Sequence, residues 1–239
     1  MKKKILAIIP ARSGSKRILN KNIKNFLGKP LIAYTISQAL DCNFIDRVIV
    51  DTDSSNIAKI AIKHGADVPF LRPSHLAKDN SKVVDSILYL LDRLKKEEKY
   101  IPDYVIILQT TSPLREIEDI KNCWKLIKKR NVSTVLTVCP THPRLYYLDS
   151  RKNLILANGS ENQSTNMQTW REAYILNGCF VYIIKTESLL KEKRIITKKT
   201  KAVICPKWRS IDIDTPEEWV LAEMLYKNKK NIKARIKKI

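Results

Sequence analysis

The stretch "ILAIIPARSGSKRILNKNI", residues Ile5 to Ile23, joins a wholly apolar run to a polar, strongly basic loop. The apolar run Ile5–Ile9 predicts a first strand that is buried on both faces of a sheet. The loop that follows contains small residues and four basic side chains, at Arg12, Lys16, Arg17 and Lys21. A buried strand that ends in such a loop is typical of the start of an open α/β sheet.

The same alternation of apolar strands and helical patterns continues along the chain. The segments "RVIVDTD", "ADVPFL", "DYVIILQ" and "STVLTVC" predict further strands. Helical patterns such as "PLIAYTISQAL" and "SKVVDSILYLLDRLKKEE" separate them. Apolar strands separated by helices indicate a parallel sheet that is covered on both faces. We therefore predict an α/β fold with a doubly wound, mostly parallel sheet, in a single domain over residues 1–239.

The pattern changes after Pro140, where the chain becomes polar and irregular as far as about Tyr174. A possible hairpin lies in "RLYYLDSRKNLILANG". Strand patterns then resume at "AYILNGCFVYII", "KAVICP" and "SIDID", and "TPEEWVLAEMLY" predicts a closing helix. We predict a small subdomain inserted at about 140–173.

The composition limits the compartment and the class of partner. No apolar run reaches the roughly 18 residues that a membrane span needs. The five cysteines form no C-x-x-C pair, which favours a reducing cytoplasm. The net charge of +21 fits a compositional bias towards Lys, Ile and Asn, a site for a small polyanion, or nucleic-acid binding. Aromatic residues are not interleaved with the basic ones, which disfavours a polynucleotide partner.

The basic loop has the residue types of an anion site. Ser13, Gly14 and Ser15 are small, so their backbone N–H groups can approach an anion closely. Arg12 offers a forked donor that suits phosphate oxygens, and Lys21 adds positive charge. The sequence matches neither the P-loop pattern nor the dinucleotide fingerprint.

Two carboxylates near the end of the chain predict a metal site. In an extended "SIDID", Asp212 and Asp214 face the same side while Ile211 and Ile213 point into the core. Such a pair suits Mg²⁺ (or Mn²⁺), which takes one or two carboxylates together with substrate phosphates. Asp214 could instead cap the last helix, but the string from Thr215 to Glu218 already forms a capping box.

A second acidic pair and the histidines are interpreted as structural. Asp51 and Asp53 come just before a predicted helix start, where acids cap the helix. The three histidines show no metal-binding or triad spacing. No serine or cysteine nucleophile is predicted.

The whole string from "IIPARSGSK" to "NKNIKNFLGKPLIAYTI" resembles the opening motif of the CMP-sialic acid synthetases, a family that includes CMP-legionaminate and CMP-pseudaminate synthetases. By motif position the resemblance implies that Arg12, Ser15 and Lys21 hold the triphosphate of CTP. "FLRPSHLAKDNS" is similar to a segment that lines the nucleoside in this family, which implicates Arg72 and Ser81. Both aspartates of "DID" would serve the metal, so the implied catalytic residues are Arg12, Lys21, Asp212 and Asp214.

Further motifs imply contacts to an acidic sugar. "LQTTSPLR" resembles the family's "LQPTSPLR", which makes Gln109 a sugar-binding residue and places Thr110 where proline is usual. "LNGCFVYI" implicates Asn177. The family often has an Arg-Arg-Gln run before this strand. Here Asn166 and Met167 take the places of the two arginines and only Gln168 remains, with Arg171 or Arg144 as candidate replacements.

The resemblance implies a cytidylyltransferase that joins CTP to a nine-carbon sialic-type acid, releasing pyrophosphate, and that works as a homodimer. A metal-bound water or an aspartate would accept the hydroxyl proton. The loss of the arginine pair favours a modified bacterial nonulosonate, although N-acetylneuraminate, legionaminate and pseudaminate all stay open. The alternatives are an enzyme of the CMP-Kdo synthetase type and a basic module that binds nucleic acid or glycans.

Overall fold

A computed structural model describes residues 2–157, 171–178 and 180–238. The strands are β1 (Ile5–Pro10), β2 (Asn25–Phe26), β3 (Lys29–Pro30), β4 (Arg47–Asp51), β5 (Tyr104–Ile107), β6 (Thr134–Thr141), β7 (Tyr146–Leu148), β8 (Leu154–Leu156), β9 (Ala173–Leu176), β10 (Tyr182–Lys185) and β11 (Thr200–Ile204). The helices are α1 (Leu31–Leu40), α2 (Ser55–Lys63), α3 (Val83–Glu98), α4 (Ile117–Ile127), α5 (Thr186–Glu192) and α6 (Pro216–Ile236).

The central sheet has the strand order β11-β6-β10-β5-β1-β4, and β9 pairs with β6. β1 runs parallel to both of its neighbours, β4 and β5. β10 lies antiparallel between β5 and β6, and β6 is parallel to β11. The prediction of a doubly wound, mostly parallel α/β sheet is confirmed.

Side chains of the sheet alternate between two apolar layers, as the period of a strand requires. In β1, Ala7 and Ile9 join the layer that contains residues of α1, α2 and α4. Leu6 and Ile8 join the opposite layer, which contains residues of α3 and α5. Helices therefore cover both faces of the sheet, which explains why its central strands are wholly apolar.

Two of the predicted strands are not formed. In "ADVPFL" only Asp67 makes a bridge, with Ile49, because Pro69 cannot donate to a ladder. The segment 211–214 is irregular rather than a strand. Its backbone is held instead by a bond of 2.9 Å from the Ile213 N–H to the carbonyl of Thr111.

Part of the predicted insertion forms a hairpin, in which β7 pairs with β8 in a separate two-stranded sheet. The sugar-site candidate Gln168 and its neighbours Asn166 and Met167 lie outside the described residues. Among the described helices, none combines the length and apolar character that a membrane span requires.

Candidate active site

An open cleft of about 460 Å³ lies at the carboxyl ends of β1 and β5. The chain places β4 on one side of β1 and β5 on the other, so the strand order reverses between β1 and β5. Ligands of doubly wound sheets bind at such a point. The cleft brings together five of the predicted site residues, which are Arg12, Ser15, Lys21, Gln109 and Asp214.

Acidic side chains hold the cationic loop in place. Nη1 of Arg12 donates to Oδ1 of Asp79 at 2.6 Å, and Nζ of Lys16 lies 2.5 Å from the other oxygen of the same carboxylate. The bond from Lys16, and after it the bond from Arg12, are the main causes that lower the pKa of the Asp79 carboxylate below its ordinary value. The pairs are exposed to solvent, so we expect them to be individually weak. The loop cations thus already face a carboxylate, and a more highly charged phosphate could replace it.

The prediction that Asp51 and Asp53 cap α2 is wrong, because Ser54 is the N-cap of that helix. Asp51, the last residue of β4, and Asp53, just beyond it, instead hold the core and the loop. Asp53 accepts hydrogen bonds from the backbone N–H of Ser13 at 2.8 Å and from its hydroxyl at 2.6 Å. Asp51 forms a buried ion pair with Arg72, at 2.6 Å between Nη2 and Oδ2. Arg72, predicted to contact the nucleoside, is therefore buried beside the loop and does not line the cleft.

Lys21 links the cationic loop to the carboxylate segment. Its Nζ donates to Oδ1 of Asp214 at 2.8 Å and to the carbonyl of Ile213 at 2.7 Å. The next residue, Asn22, is buried and donates to the carbonyl of Arg12 at 2.9 Å. Its side-chain oxygen accepts a bond of 2.6 Å from the Thr110 hydroxyl. Thr110, which stands where the resembled family usually has proline, thus connects the loop after β5 to the loop after β1.

Asp212 points inward, beside Gly178. A Cβ built on Gly178 would lie 2.6 Å from Cγ of Asp212, and this glycine has a φ of +65°. Oδ1 of Asp212 is buried and has no hydrogen-bond partner within the described residues. Burial raises the pKa of Asp212, and the nearby Asp214 carboxylate acts in the same direction, whereas Thr111 and Lys21 oppose it. A cation beside the Asp212 carboxylate would stabilise its charged form.

These two carboxylates fit a divalent cation of the magnesium type. The described residues include no cluster of three or more His, Cys, Asp or Glu side chains with the arrangement of a metal site. Mg²⁺ does not need one, because substrate phosphates and water complete its shell. The orphaned buried oxygen of Asp212 and the half-exposed carboxylate of Asp214 would supply the hard oxygen ligands.

Six predicted residues within the described part of the chain do not line the cleft: Ser13, Gly14, Arg72, Ser81, Asn177 and Asp212. Asn177 is only 3% exposed, and its amide contacts Thr137 at 3.0 Å and Ser210 at 3.1 Å. Ser81 donates to the carbonyl of His75 at 3.0 Å. Gly14 lies in the loop but not among the residues of the cleft wall. Their contacts with substrate stay predictions.

Sequence reasoning did not single out Asp79, Asn22 or Thr111 as part of the site. All three line the cleft. Asn22 could have been recognised from its place in "NKNI", between the predicted phosphate-binding Lys21 and an apolar residue. Asp79 lies within the quoted "FLRPSHLAKDNS" segment, but no local pattern indicates its contacts with Arg12 and Lys16, which are 67 and 63 residues away along the chain.

Comparison with known proteins decides the family. The family model described as "Cytidylyltransferase" matches residues 6–235. The chain belongs to the cytidylyltransferase family. It is 36% identical over 226 residues to the CMP-N,N'-diacetyllegionaminic acid synthase of Legionella pneumophila, covering 93% of this chain and 96% of that protein. It is 32% identical to a pseudaminic acid cytidylyltransferase of Campylobacter jejuni, covering 94% and 97% respectively.

A solved structure shows the same fold at lower sequence similarity. A CMP:2-keto-3-deoxy-manno-octonic acid synthetase complexed with CTP aligns with a TM-score of 0.67 and 17% identity. The alignment covers 94% of this cytidylyltransferase and 100% of that chain. The predicted resemblance is confirmed, as are the enzyme class, a nucleotidyltransferase, and the reaction class, cytidylyl transfer.

Proposed function

We propose that this cytidylyltransferase activates a nonulosonic acid with CTP, giving a CMP-sugar and pyrophosphate. The observation that carries the proposal is the cleft itself. The cationic loop and Asp214 meet there across the switch point of the sheet, joined by the contact of 2.8 Å between Lys21 and Asp214, and Asp212 lies two residues before Asp214. A nucleoside triphosphate with a divalent cation needs both kinds of charge at one place.

The chain's own residues act by positioning and neutralising charge. Arg12, Ser15 and Lys21 bind the β- and γ-phosphates, so they stabilise the negative charge that builds up on the departing pyrophosphate. The anomeric hydroxyl of the acceptor attacks the α-phosphorus, its proton passes to an aspartate or to a water molecule, and the bond between that phosphorus and the bridging oxygen of pyrophosphate breaks. Such a transfer needs no covalent enzyme intermediate.

Asp212 and Asp214 would hold Mg²⁺ or Mn²⁺. When bound, the ion supplies electrostatic stabilisation of the phosphate oxygens. The two carboxylates differ in their surroundings: Asp212 is largely buried against Gly178, whereas Asp214 is half exposed and paired with Lys21. The buried Asp212 would be the more rigidly held of the two ligands, and Asp214 is held by its bond to Lys21.

The proposed acceptor is a nonulosonic acid that carries two acetamido groups. The support comes from the relative named CMP-N,N'-diacetyllegionaminic acid synthase and the one named pseudaminic acid cytidylyltransferase. Gln109 lines the cleft and is the sugar contact on this side. Its backbone carbonyl is fixed by Nη2 of the buried Arg115 at 2.6 Å.

The proposal is tested by measuring pyrophosphate release with CTP, Mg²⁺ and a panel of acid sugars. We expect turnover with N,N'-diacetyllegionaminic or pseudaminic acid, and weaker turnover with N-acetylneuraminate. Selective use of N-acetylneuraminate would contradict the acceptor assignment alone. Selective use of the eight-carbon acid Kdo would favour the CMP-Kdo alternative, and DNA retention without any turnover would favour a binding module.

Arg12→Ala should raise the KM for CTP by about 10- to 100-fold, since a hydrogen bond to a charged group contributes about 1.5–3 kcal/mol. The measurement is the initial rate of pyrophosphate release over a range of CTP concentrations. Lys29→Ala, which removes an exposed cation of β3 outside the cleft wall, is the control and should leave KM within about twofold. Equal KM values for the two variants would remove Arg12 from the triphosphate site.

The protein is proposed to work as a homodimer through the inserted hairpin. Tyr147, Leu148 and Leu154 are 68%, 67% and 66% exposed, and β9 adds Ile175 and Leu176 at 41% and 48%. Such an exposed apolar patch marks an interaction surface. Light scattering of the purified protein should give twice the chain mass, and Leu148→Glu should shift it to the monomer. A wild-type mass of 27.6 kDa at micromolar concentration would contradict the dimer.

A further inference from the structure

The segment that carries both carboxylates lacks the hydrogen-bond ladder of a strand. After β11 the chain makes a single 3-10 turn, Lys207–Arg209, and then runs irregularly to the start of α6. Side-chain contacts therefore fix much of its path. Ser210 bonds to Asn177 at 3.1 Å, and Glu218 accepts the N–H of Asp214 at 2.7 Å. Arg209, at the end of the turn, is a further fixed point of this segment.

Arg209 forms a two-pronged ion pair with Asp119 of α4. Nη2 of Arg209 donates to Oδ1 at 2.6 Å, and Nη1 donates to Oδ2 of the same carboxylate. The two residues are only 7% and 4% exposed, so little solvent screens them. The guanidinium also lies 5.8 Å from the centre of the Phe180 ring. This geometry fixes the direction as well as the charge of the arginine.

Asp119 connects this pair to the other wall of the cleft. Its Oδ2 also accepts the backbone N–H of Glu116 at 2.8 Å, which closes the capping box of α4. α4 follows the loop that begins at Gln109. The same carboxylate therefore holds both the helix behind the proposed sugar contact and the turn that leads to Asp212 and Asp214.

We propose that Arg209 and Asp119 are positioning residues that aim the Asp212–Asp214 pair at the metal and the CTP phosphates. Arg209 is three residues from Asp212, so a displaced turn moves the carboxylates. Neither member of the pair lines the cleft, so both act through the chain and not by contact with substrate. The inference rests on the proposed function, because it assigns what the pair positions.

The test variant is Arg209→Lys, which keeps the charge but loses the fork. We expect kcat to fall by about 10²-fold, as for a misplacement of about 1 Å, with the KM for the acid sugar within about threefold. Binding of Mn²⁺ in the presence of CTP alone, followed by electron paramagnetic resonance, should weaken by about 10- to 100-fold, as for residues that orient metal ligands.

Arg47→Lys is the matched control. Arg47 pairs with Glu98 at 2.5 Å and with Asp67, and its side chain is 20% exposed. It lies at the amino end of β4, opposite the cleft edge of the sheet. We expect a loss of thermal stability from this variant but Mn²⁺ affinity and kcat within about twofold of wild type.

A loss of stability in Arg209→Lys with unchanged Mn²⁺ affinity and kcat would overturn the inference, since the pair would then be merely structural. If Arg209→Lys is not recovered folded, Asp119→Glu takes its place, since it keeps the charge and lengthens the side chain by one methylene. Its stability, Mn²⁺ affinity and kcat are then measured, and unchanged Mn²⁺ affinity and kcat would again overturn the inference. The ratio of variant to wild-type Mn²⁺ affinity tests the positioning, whereas absence of pyrophosphate release from the wild type would overturn the proposed function.

Discussion

Replacing Asp214 with alanine should lower kcat for pyrophosphate release by about 10³-fold while leaving the fold intact, because it removes a charged group at the reacting phosphates. The side chain is 51% exposed, so its loss creates no core cavity. The backbone of the segment stays held, since Glu218 accepts the N–H groups of residues 214 and 215 at 2.7 and 2.8 Å. Steady-state kinetics and a thermal melt measure the two parts of this expectation.

Asp92→Ala is the control for charge and exposure. Asp92 is 52% exposed and pairs with Lys96 at 2.7 Å, much as Asp214 pairs with Lys21, but it lies on α3 outside the cleft wall. Its removal should leave kcat within about twofold. Near-normal pyrophosphate release from Asp214→Ala would remove the metal assignment from this carboxylate.

Gly178→Ala should reduce kcat by about 10²-fold, because the new methyl group needs the space of the Asp212 carboxylate and displaces it. The added carbon would lie 2.6–2.8 Å from Cγ, Oδ2 and Oδ1 of Asp212. The positive φ of +65° adds a backbone cost of about 1–2 kcal/mol for any residue with a Cβ. The measurements are kcat and the free energy of unfolding in urea.

Gly28→Ala separates the two effects. Gly28 also has a positive φ, +91°, but a Cβ there has no heavy atom within 4 Å. The variant should lose a similar free energy of unfolding and keep its kcat within about twofold. If both glycine variants retained full activity, the position of Asp212 against Gly178 would have no bearing on catalysis.

The sequence was most informative where burial and periodicity coincide. The wholly apolar β1 and β5 predicted a sheet covered on both faces. The structure confirms this prediction, since Ala7 and Leu6 of β1 pack into separate apolar layers on opposite faces of the sheet. The capping box of α6 was equally readable, because Thr215 and Glu218 are local neighbours whose mutual bonds need no tertiary context. The strand prediction for "ADVPFL" was wrong. It followed the apolar residues of the segment and gave too little weight to Pro69, which has no N–H for a strand ladder.

The site was predictable in its residue types but not in its contacts. Arg12, Lys21 and Asp214 were chosen from motifs, and the structure brings them to one cleft. The pairing of Lys21 with Asp214 joins residues that are 193 positions apart, which no local pattern encodes. The same holds for Arg209 and Asp119, 90 positions apart. Asp212 was expected on a strand beside Asp214, whereas it lies inward on an irregular segment, because Gly178 leaves room for it.

The central claim is that the carboxylates of Asp212 and Asp214 and the loop of Arg12 and Lys21 together bind a CTP–metal complex. Its most direct test is a crystal structure with CTP and Mn²⁺, in which anomalous scattering locates the ion. We expect one Mn²⁺ in contact with both carboxylates, with the β- and γ-phosphates on the cationic loop. An ion bound away from these two aspartates, or a triphosphate that does not touch Arg12 and Lys21, would contradict it.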